Sequence, residues 1–270
     1  MTEAHGISAP NRERLEALHR RLKSPFSAAD AATVWSLNAT RARRLVAYLA
    51  ARGWLSRVRR DAYATVPLGA TAPKQWREDP WVVAAKTFAP CYLGGWTACE
   101  HWGLTEQIFR EMIVFTTRRV RHRLEEIQGT RFRIKVIAQT RMFGLADVWR
   151  GQNQVKVSDP TRTIVDLLND PALGGGMRHV AEVLQSYFEG TSRNDDQLAD
   201  YAARIGNRTV FKRLGYLLET LRISSAKLTE LSARQMSAGI SLLDPSGKPT
   251  GPILKRWRLR LNAILTSGPQ

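Results

Sequence analysis

Thr40-Arg41-Ala42-Arg43-Arg44-Leu45-Val46-Ala47-Tyr48-Leu49-Ala50-Ala51-Arg52-Gly53 is the stretch on which the reading of this chain turns. At helical spacing Ala42, Leu45, Val46 and Leu49 form one apolar stripe. Arg41, Arg43, Arg44 and Ala47 are left on the outward side of the N-terminal half. Gly53 follows as the residue that ends a helix in the left-handed conformation. A helix that is apolar behind and arginine-rich in front suits the major groove of DNA. The forked guanidinium donors match a guanine edge, and a small Ala47 permits close approach.

Working outward, Leu15, Leu18 and Leu22 recur at helical spacing in a first helix that starts near Asn11. Ser24-Pro25-Phe26 breaks it. Ser27 caps a second, short helix that carries Ala28, Ala31, Ala32 and Trp35. Asn38-Ala39-Thr40 makes the next turn and cap. Downstream, residues 54–60 and 62–66 read as two short strands around an Arg60-Asp61 turn. Three helices and a two-stranded wing predict a winged helix-turn-helix over residues 11–66. Its expected core is Leu15, Leu18, Leu22, Trp35, Leu45, Leu49 and Leu55. In that frame Arg43 and Arg44, with Arg41 beside them, are the expected base readers. Asn38 and Thr40 are expected at phosphates near the helix start. Arg57, Arg59 and Arg60 are expected to grip phosphates or a minor groove from the wing. A charged helix face is ordinarily a solvated one, so a winged helix that docks only on protein is the competing reading, and RNA is a further ligand of such folds.

Residues 67–74, rich in Gly, Ala and Pro, read as a flexible linker. Residues 75–265 read as a second, larger α+β domain with helices crowded toward its C-terminus. Helices are expected at 80–88, 97–103, 160–168, 177–188, 194–205, 209–221 and 226–231. Strands are expected at 111–117, 131–138 and 154–158. The fold class is therefore α+β, with a winged helix-turn-helix first and a mixed domain second.

The balance of charge points to the same kind of partner. Forty-one Lys and Arg against 24 Asp and Glu leave +17, which favours polyanions. Apolar residues at 43% and charged residues at 24% are ordinary for a folded chain. No apolar run approaches the roughly 18 residues of a membrane span, and residues 1–10 lack the order of a signal peptide. A cytoplasmic protein with no membrane partner is expected. Cys91 and Cys99 match no metal or redox spacing and read as buried thiols. No Asp or Glu is followed two positions later by Lys, as restriction-type nucleases require, and no two carboxylates stand one residue apart, as in nucleotidyltransferases. His5, His19, His101, His122 and His179 form no metal-binding pair. Asp195 and Asp196 fit a helix start, where acids suit the dipole. No catalytic residue, metal or cofactor is expected. The rival from another class is a nucleic-acid-modifying enzyme with a degenerate site.

Three stretches, in order, resemble a known family. The first runs Gly53-Trp54-Leu55-Ser56-Arg57-Val58-Arg59-Arg60-Asp61-Ala62-Tyr63, with Asp61 in place of the family's usual wing Gly. The second is Val157-Ser158-Asp159-Pro160-Thr161-Arg162-Thr163-Ile164-Val165-Asp166. The third joins Leu243-Asp244-Pro245-Ser246, Gly251 and Lys255-Arg256-Trp257-Arg258-Leu259-Arg260-Leu261-Asn262. Together they are similar to the AbiEi antitoxins of type IV toxin–antitoxin systems. The resemblance implies two tasks. The winged helix would repress its own operon at inverted or repeated promoter sites, and the C-terminal domain would neutralise a nucleotidyltransferase toxin of the AbiEii type, in the setting of phage defence. A stable complex with the toxin is not required by such a mechanism. The second domain has its own basic surface, with Arg118, Arg119 and Arg121 in one loop and Arg256 and Arg258 near the end. These residues are the expected antitoxin surface, where an RNA contact or a longer DNA track would also fall. Their plain alternative is a solvated loop and strand edge.

Overall fold

The structure, a computed structural model, describes residues 7–67, 70 and 72–265. It is of mixed α+β class, with two compact units. The first runs up to Ala89 and takes in residues 125–131 and 149–155; the second starts at Pro90 and holds residues 132–148 and 156 onward.

In the first unit α1 (Ala9–Arg21) begins two residues earlier than expected. Pro10 sits in its first turn, where the missing N–H is no loss and the fixed φ is helical. Helix α2 (Ala28–Trp35) opens with a capping box: Asp30 N donates to Ser27 Oγ at 3.1 Å and Ser27 N donates to Asp30 Oδ2 at 2.8 Å. Helix α3 (Ala39–Ala51) is capped by Asn38, whose Oδ1 accepts from Arg41 N at 2.8 Å. Gly53, at φ 82°, closes it, and Trp54 N donates back to Leu49 O. Strands β1 (Leu55–Arg59) and β2 (Ala62–Thr65) form an antiparallel ribbon. Phe26 exchanges two 2.8 Å backbone bonds with Tyr63, so the segment before α2 adds a third rung beside β2. Leu15, Leu18, Leu49 and Leu55 are buried with Phe26, Ala31 and Val46, while Leu22, Trp35 and Leu45 pack partly exposed around them.

The expected linker does not coincide with the boundary between units. Leu68, Gly69 and Thr71 lie outside the described residues. Beyond them a 3-10 turn (Pro73–Gln75) and helix α4 (Pro80–Thr87) stay with the first unit. Side chain–backbone hydrogen bonds, one of them through Gln128, which itself donates to Ser56 Oγ, explain this. Ser56 Oγ donates to Trp76 O at 3.1 Å, and Glu78 N donates to Gln128 Oε1 at 3.2 Å, which ties residues 76–78 to the ribbon.

The second unit is organised on β3 (Cys91–Leu93), which pairs antiparallel with β4 (Glu111–Thr116) and parallel with β8 (Asn153–Ser158). The other strands of this sheet are β5 (Leu124–Ile127), β6 (Thr130–Val136) and β7 (Leu145–Arg150), in the order β5-β6-β4-β3-β8-β7, and residues 125–131 and 149–155 belong to the first unit. Strands β3, β5 and β7 are additions to the expected set. Beside the sheet lies α5 (Trp96–His101). Then come α6 (Pro160–Asn169), α7 (Met177–Glu189), α8 (Asp195–Arg204), α9 (Thr209–Thr220) and α10 (Ala226–Gln235). Helix α6 packs against α7, α8 and α9, and its residues 161–168 are all buried. Residues 241–260, for which no strand was expected, form a small sheet of β9 (Ser241–Leu242), β10 (Ile253–Leu254) and β11 (Leu259–Arg260).

Candidate nucleic-acid interface

Helix α3 buries Ala42, Val46 and Leu49 completely. A 13-residue helix buried along that stripe turns its intervening residues to solvent, and Arg41, Arg43, Arg44 and Ala47 are exposed. None of the three arginines forms an ion pair among the described residues. Asn38 is exposed, but its Oδ1 is occupied by the cap, which leaves its amide Nδ2 as the group free to donate. Thr40 is exposed in the first turn. Sequence reasoning passed over Tyr48. It stands four residues after Arg44, is 46% exposed, and has the Arg52 guanidinium 5.3 Å from its ring centre. The spacing alone would have found it, since i and i+4 share a face.

On the ribbon Arg57, Arg59 and Arg60 are exposed while Val58 between them is buried. Successive strand side chains point to opposite faces, which gives this alternation; a register shift between Arg57 and Arg59 sets Arg57 opposite Tyr63 and Arg59 opposite Ala62. Asp61 takes φ 55°, the left-handed value for which a Gly is the easier residue. Its carboxylate gives something a glycine could not, because Oδ1 accepts from Ala28 N at 3.3 Å. Ribbon turn and α2 are thereby linked.

In the second unit the arginines expected at the antitoxin surface fall into two kinds. Arg118, Arg119 and Arg121 are exposed in the loop between β4 and β5, where Arg118 N donates to Thr116 Oγ1 at 3.1 Å. Arg256 instead pairs with Glu219 at 2.6 Å, and Arg258 is half-buried at φ 51° with Nη1 donating to Ser237 O at 3.4 Å. The last two therefore also serve the local structure.

Several residues of the second and third quoted stretches hold the local structure. Asp159 caps α6, with Oδ1 accepting from Arg162 N at 2.7 Å and Oδ2 from Tyr201 Oη at 3.0 Å. Arg162 is fully buried. Its Nε donates to Asp166 Oδ1 at 3.0 Å, Nη2 to Tyr92 Oη at 2.9 Å, and Nη1 to the carbonyls of Arg141 and Phe143. Burial is the largest single influence and opposes its charge, but Asp166, Tyr92 and Asp159 together outweigh it and raise the Arg162 pKa. Asp244 accepts from Met177 N at the start of α7, and Trp257 is buried against Gly215 of α9 while its indole Nε1 donates to Glu219. Cys99 is buried and Cys91 half-buried; burial pushes both thiols up to about 12, far from the range of a reactive thiolate. Among the described residues no cluster of three or more His, Cys, Asp or Glu could hold a metal ion. No helix among them is long and apolar enough to cross a membrane.

A short central β3 flanked by longer strands, with a helical layer consolidated by capped and buried polar residues, places the second unit in the mixed α+β class. Residues 89–220, just under half of the chain, match the family model of the AbiEi antitoxin C-terminal domain, so the chain carries an antitoxin domain of the AbiEi type over this segment. The match includes the second of the three quoted stretches and neither the first nor the third. No match to the chain was found among curated proteins.

Proposed function

We propose that this AbiEi-type antitoxin is also the DNA-binding repressor of its own operon, through a winged helix-turn-helix at residues 11–66. The single observation that carries this reading is α3. Its rear is buried at Ala42, Val46 and Leu49, and its front presents Arg41, Arg43 and Arg44 with no carboxylate paired to them among the described residues. Unpaired, solvated arginines on a fixed helix can exchange water for guanine edges and phosphates without first breaking ion pairs. Asn38 and Thr40 at the start of the helix, and Arg57, Arg59 and Arg60 on the ribbon, complete the proposed contact set. The target is double-stranded DNA at inverted or repeated sites of its own promoter, in the cytoplasm.

The antitoxin domain, read from sequence as residues 75–265, is proposed to act in a type IV pair that serves phage defence. It would oppose a nucleotidyltransferase toxin of the AbiEii type without needing a stable complex. Its proposed working surface is Arg118, Arg119 and Arg121, with Arg256 and Arg258 as further candidates, and an RNA contact fits the same charge. A gel shift with the upstream region, run beside a Mg²⁺-dependent cleavage assay, tests the regulatory half. Sequence-specific, salt-sensitive binding without cleavage is the expected result. Cleavage without specific binding would replace this reading by a nuclease, and no DNA affinity at any salt would replace it by a protein-docking module.

A further inference from the structure

A crevice of about 380 Å³ lies in the first unit, and of the proposed DNA contacts only Arg57 lines it. Arg57, Lys74 and Arg77 line it, together with Ser56, Gln128 and the end of α3 at Ala51. All three cations are exposed, no carboxylate is among the lining residues, and none of the three forms an ion pair among the described residues. This sets them apart from Arg133, Lys135, Lys156, Arg193 and Lys227 elsewhere in the chain, each of which has a carboxylate partner.

The floor of the crevice is fixed by hydrogen bonds. Gln128 sits at φ 51°, its Nε2 donating to Ser56 Oγ at 2.9 Å and to Arg57 O at 3.3 Å, and its Oε1 accepting from Glu78 N. Arg77 Nη1 donates to Trp76 O at 3.0 Å and Lys74 O at 3.3 Å, which anchors the guanidinium by one nitrogen. Three like charges held around one cleft repel each other, and a multivalent anion between them removes that repulsion. The lining contains no aromatic ring to stack a base, so the three cations are the groups that would hold a ligand, through its phosphates. Its volume is at the scale of small-ligand pockets, which start at about 300 Å³.

Position separates this crevice from the base-reading end of α3. Ala50, which lines the crevice, is nine residues along from Arg41, or about 14 Å of helix at 1.5 Å per residue. The carbonyl end of a helix repels anions, so here the side-chain cations must supply all of the attraction.

We propose that this crevice binds the phosphate groups of a free nucleotide, with Lys74 and Arg77 serving this site alone and Arg57 shared with the proposed DNA contacts. Arg57 and Arg77 would take phosphate oxygens through their forks and Lys74 as a point charge.

The test uses the full chain in calorimetric titrations with inorganic pyrophosphate and with ATP at low salt, beside a gel shift with duplex DNA. Wild type and the R43A/R44A variant should bind both probes saturably, one per chain. K74A/R77A should bind them about tenfold more weakly or worse, as expected when charge-assisted hydrogen bonds are lost. Should the double variant fold poorly by circular dichroism, Lys74→Gln alone must show the same direction. Absence of saturable binding by wild type overturns the proposal. So does equal weakening in R43A/R44A, which would mean diffuse attraction to a basic chain. Loss of duplex affinity in K74A/R77A with no binding of either probe by wild type overturns it as well, and would assign the crevice to the DNA backbone.

Discussion

The hydroxyl of Tyr92 on β3 donates to Oδ2 of Asp166 on α6 at 3.0 Å, inside a core where both side chains are buried. Arg162 completes the triangle by donating to both of them. A buried charge is tolerable only when it is paired and its hydrogen bonds are satisfied. Arg162→Met should therefore cost about 3–5 kcal/mol, because it strands the Asp166 carboxylate. Tyr92→Phe removes one hydrogen-bonding group from the triangle and should cost about 1–3 kcal/mol. Urea unfolding of the two variants measures the difference; equal costs would show that the triangle is not a unit.

Gly215 and Trp257 make the second structural test. A Cβ at Gly215 would lie 2.2 Å from the Trp257 ring, which is itself 1% exposed. Gly215→Ala should destabilise by about 1–3 kcal/mol through overpacking, despite the better helix propensity of Ala. A stability gain in thermal unfolding would mean that the ring moves aside freely.

The acid limb of stability should depend on Asp195. Its hydrogen bonds from Arg193, aided by one from Ser225 Oγ, hold its carboxyl below the usual carboxylate range. A carboxyl whose folded pKa is depressed adds stability above its unfolded pKa and loses it as pH falls through the folded value. Its contribution should thus be complete above about pH 4 and fade below. For this partly exposed pair it should amount to roughly 1 kcal/mol. Asp195→Asn should lower stability at neutral pH and flatten the acid limb; a variant with an unchanged pH profile would contradict the assignment.

The proposed DNA contacts should divide by role. Arg43→Ala or Arg44→Ala should relax sequence preference, since each bidentate base contact discriminates by about 1–3 kcal/mol. Arg59→Ala should weaken specific and random DNA alike and reduce the salt slope by about one unit. Binding isotherms on operator and random duplexes at several salt concentrations decide between this division and a diffuse basic face, for which all three substitutions would behave alike.

Regulation and antitoxicity should separate. R43A/R44A should abolish repression and leave growth rescue intact, while charge removal at Arg118, Arg119 and Arg121 should do the reverse. Substituting Arg256 should act mainly through stability, because it breaks the pair with Glu219. A toxin-rescue assay on variants expressed at wild-type level checks this. Rescue lost with R43A/R44A would tie antitoxicity to DNA binding.

The sequence by itself determined the local elements of the first unit and most helices of the second. Caps and breakers act within a few residues, and Ser27, Asn38 and Gly53 do in the structure what their types foretold. It also marked which arginines of α3 face outward, because a helix repeats its faces at fixed spacing. Tertiary structure alone decided the rest. Strand β3 is three residues long, too short for any periodicity, yet it is the strand that joins β4 to β8. The small C-terminal sheet and the Trp257 beside it rest on partners far along the chain, among them Gly215, 42 positions away. Arg162 looked like one more basic residue and is a buried strut, since only the arrival of Tyr92, 70 positions away, and of two backbone carbonyls gives its guanidinium partners. Lys74, Arg77 and Arg57 meet because Gln128 pins the ribbon, and no spacing in the chain announces that meeting. Local hydrogen bonds and helical periodicity are written in neighbouring residues, whereas partners for buried charges are chosen by long-range packing.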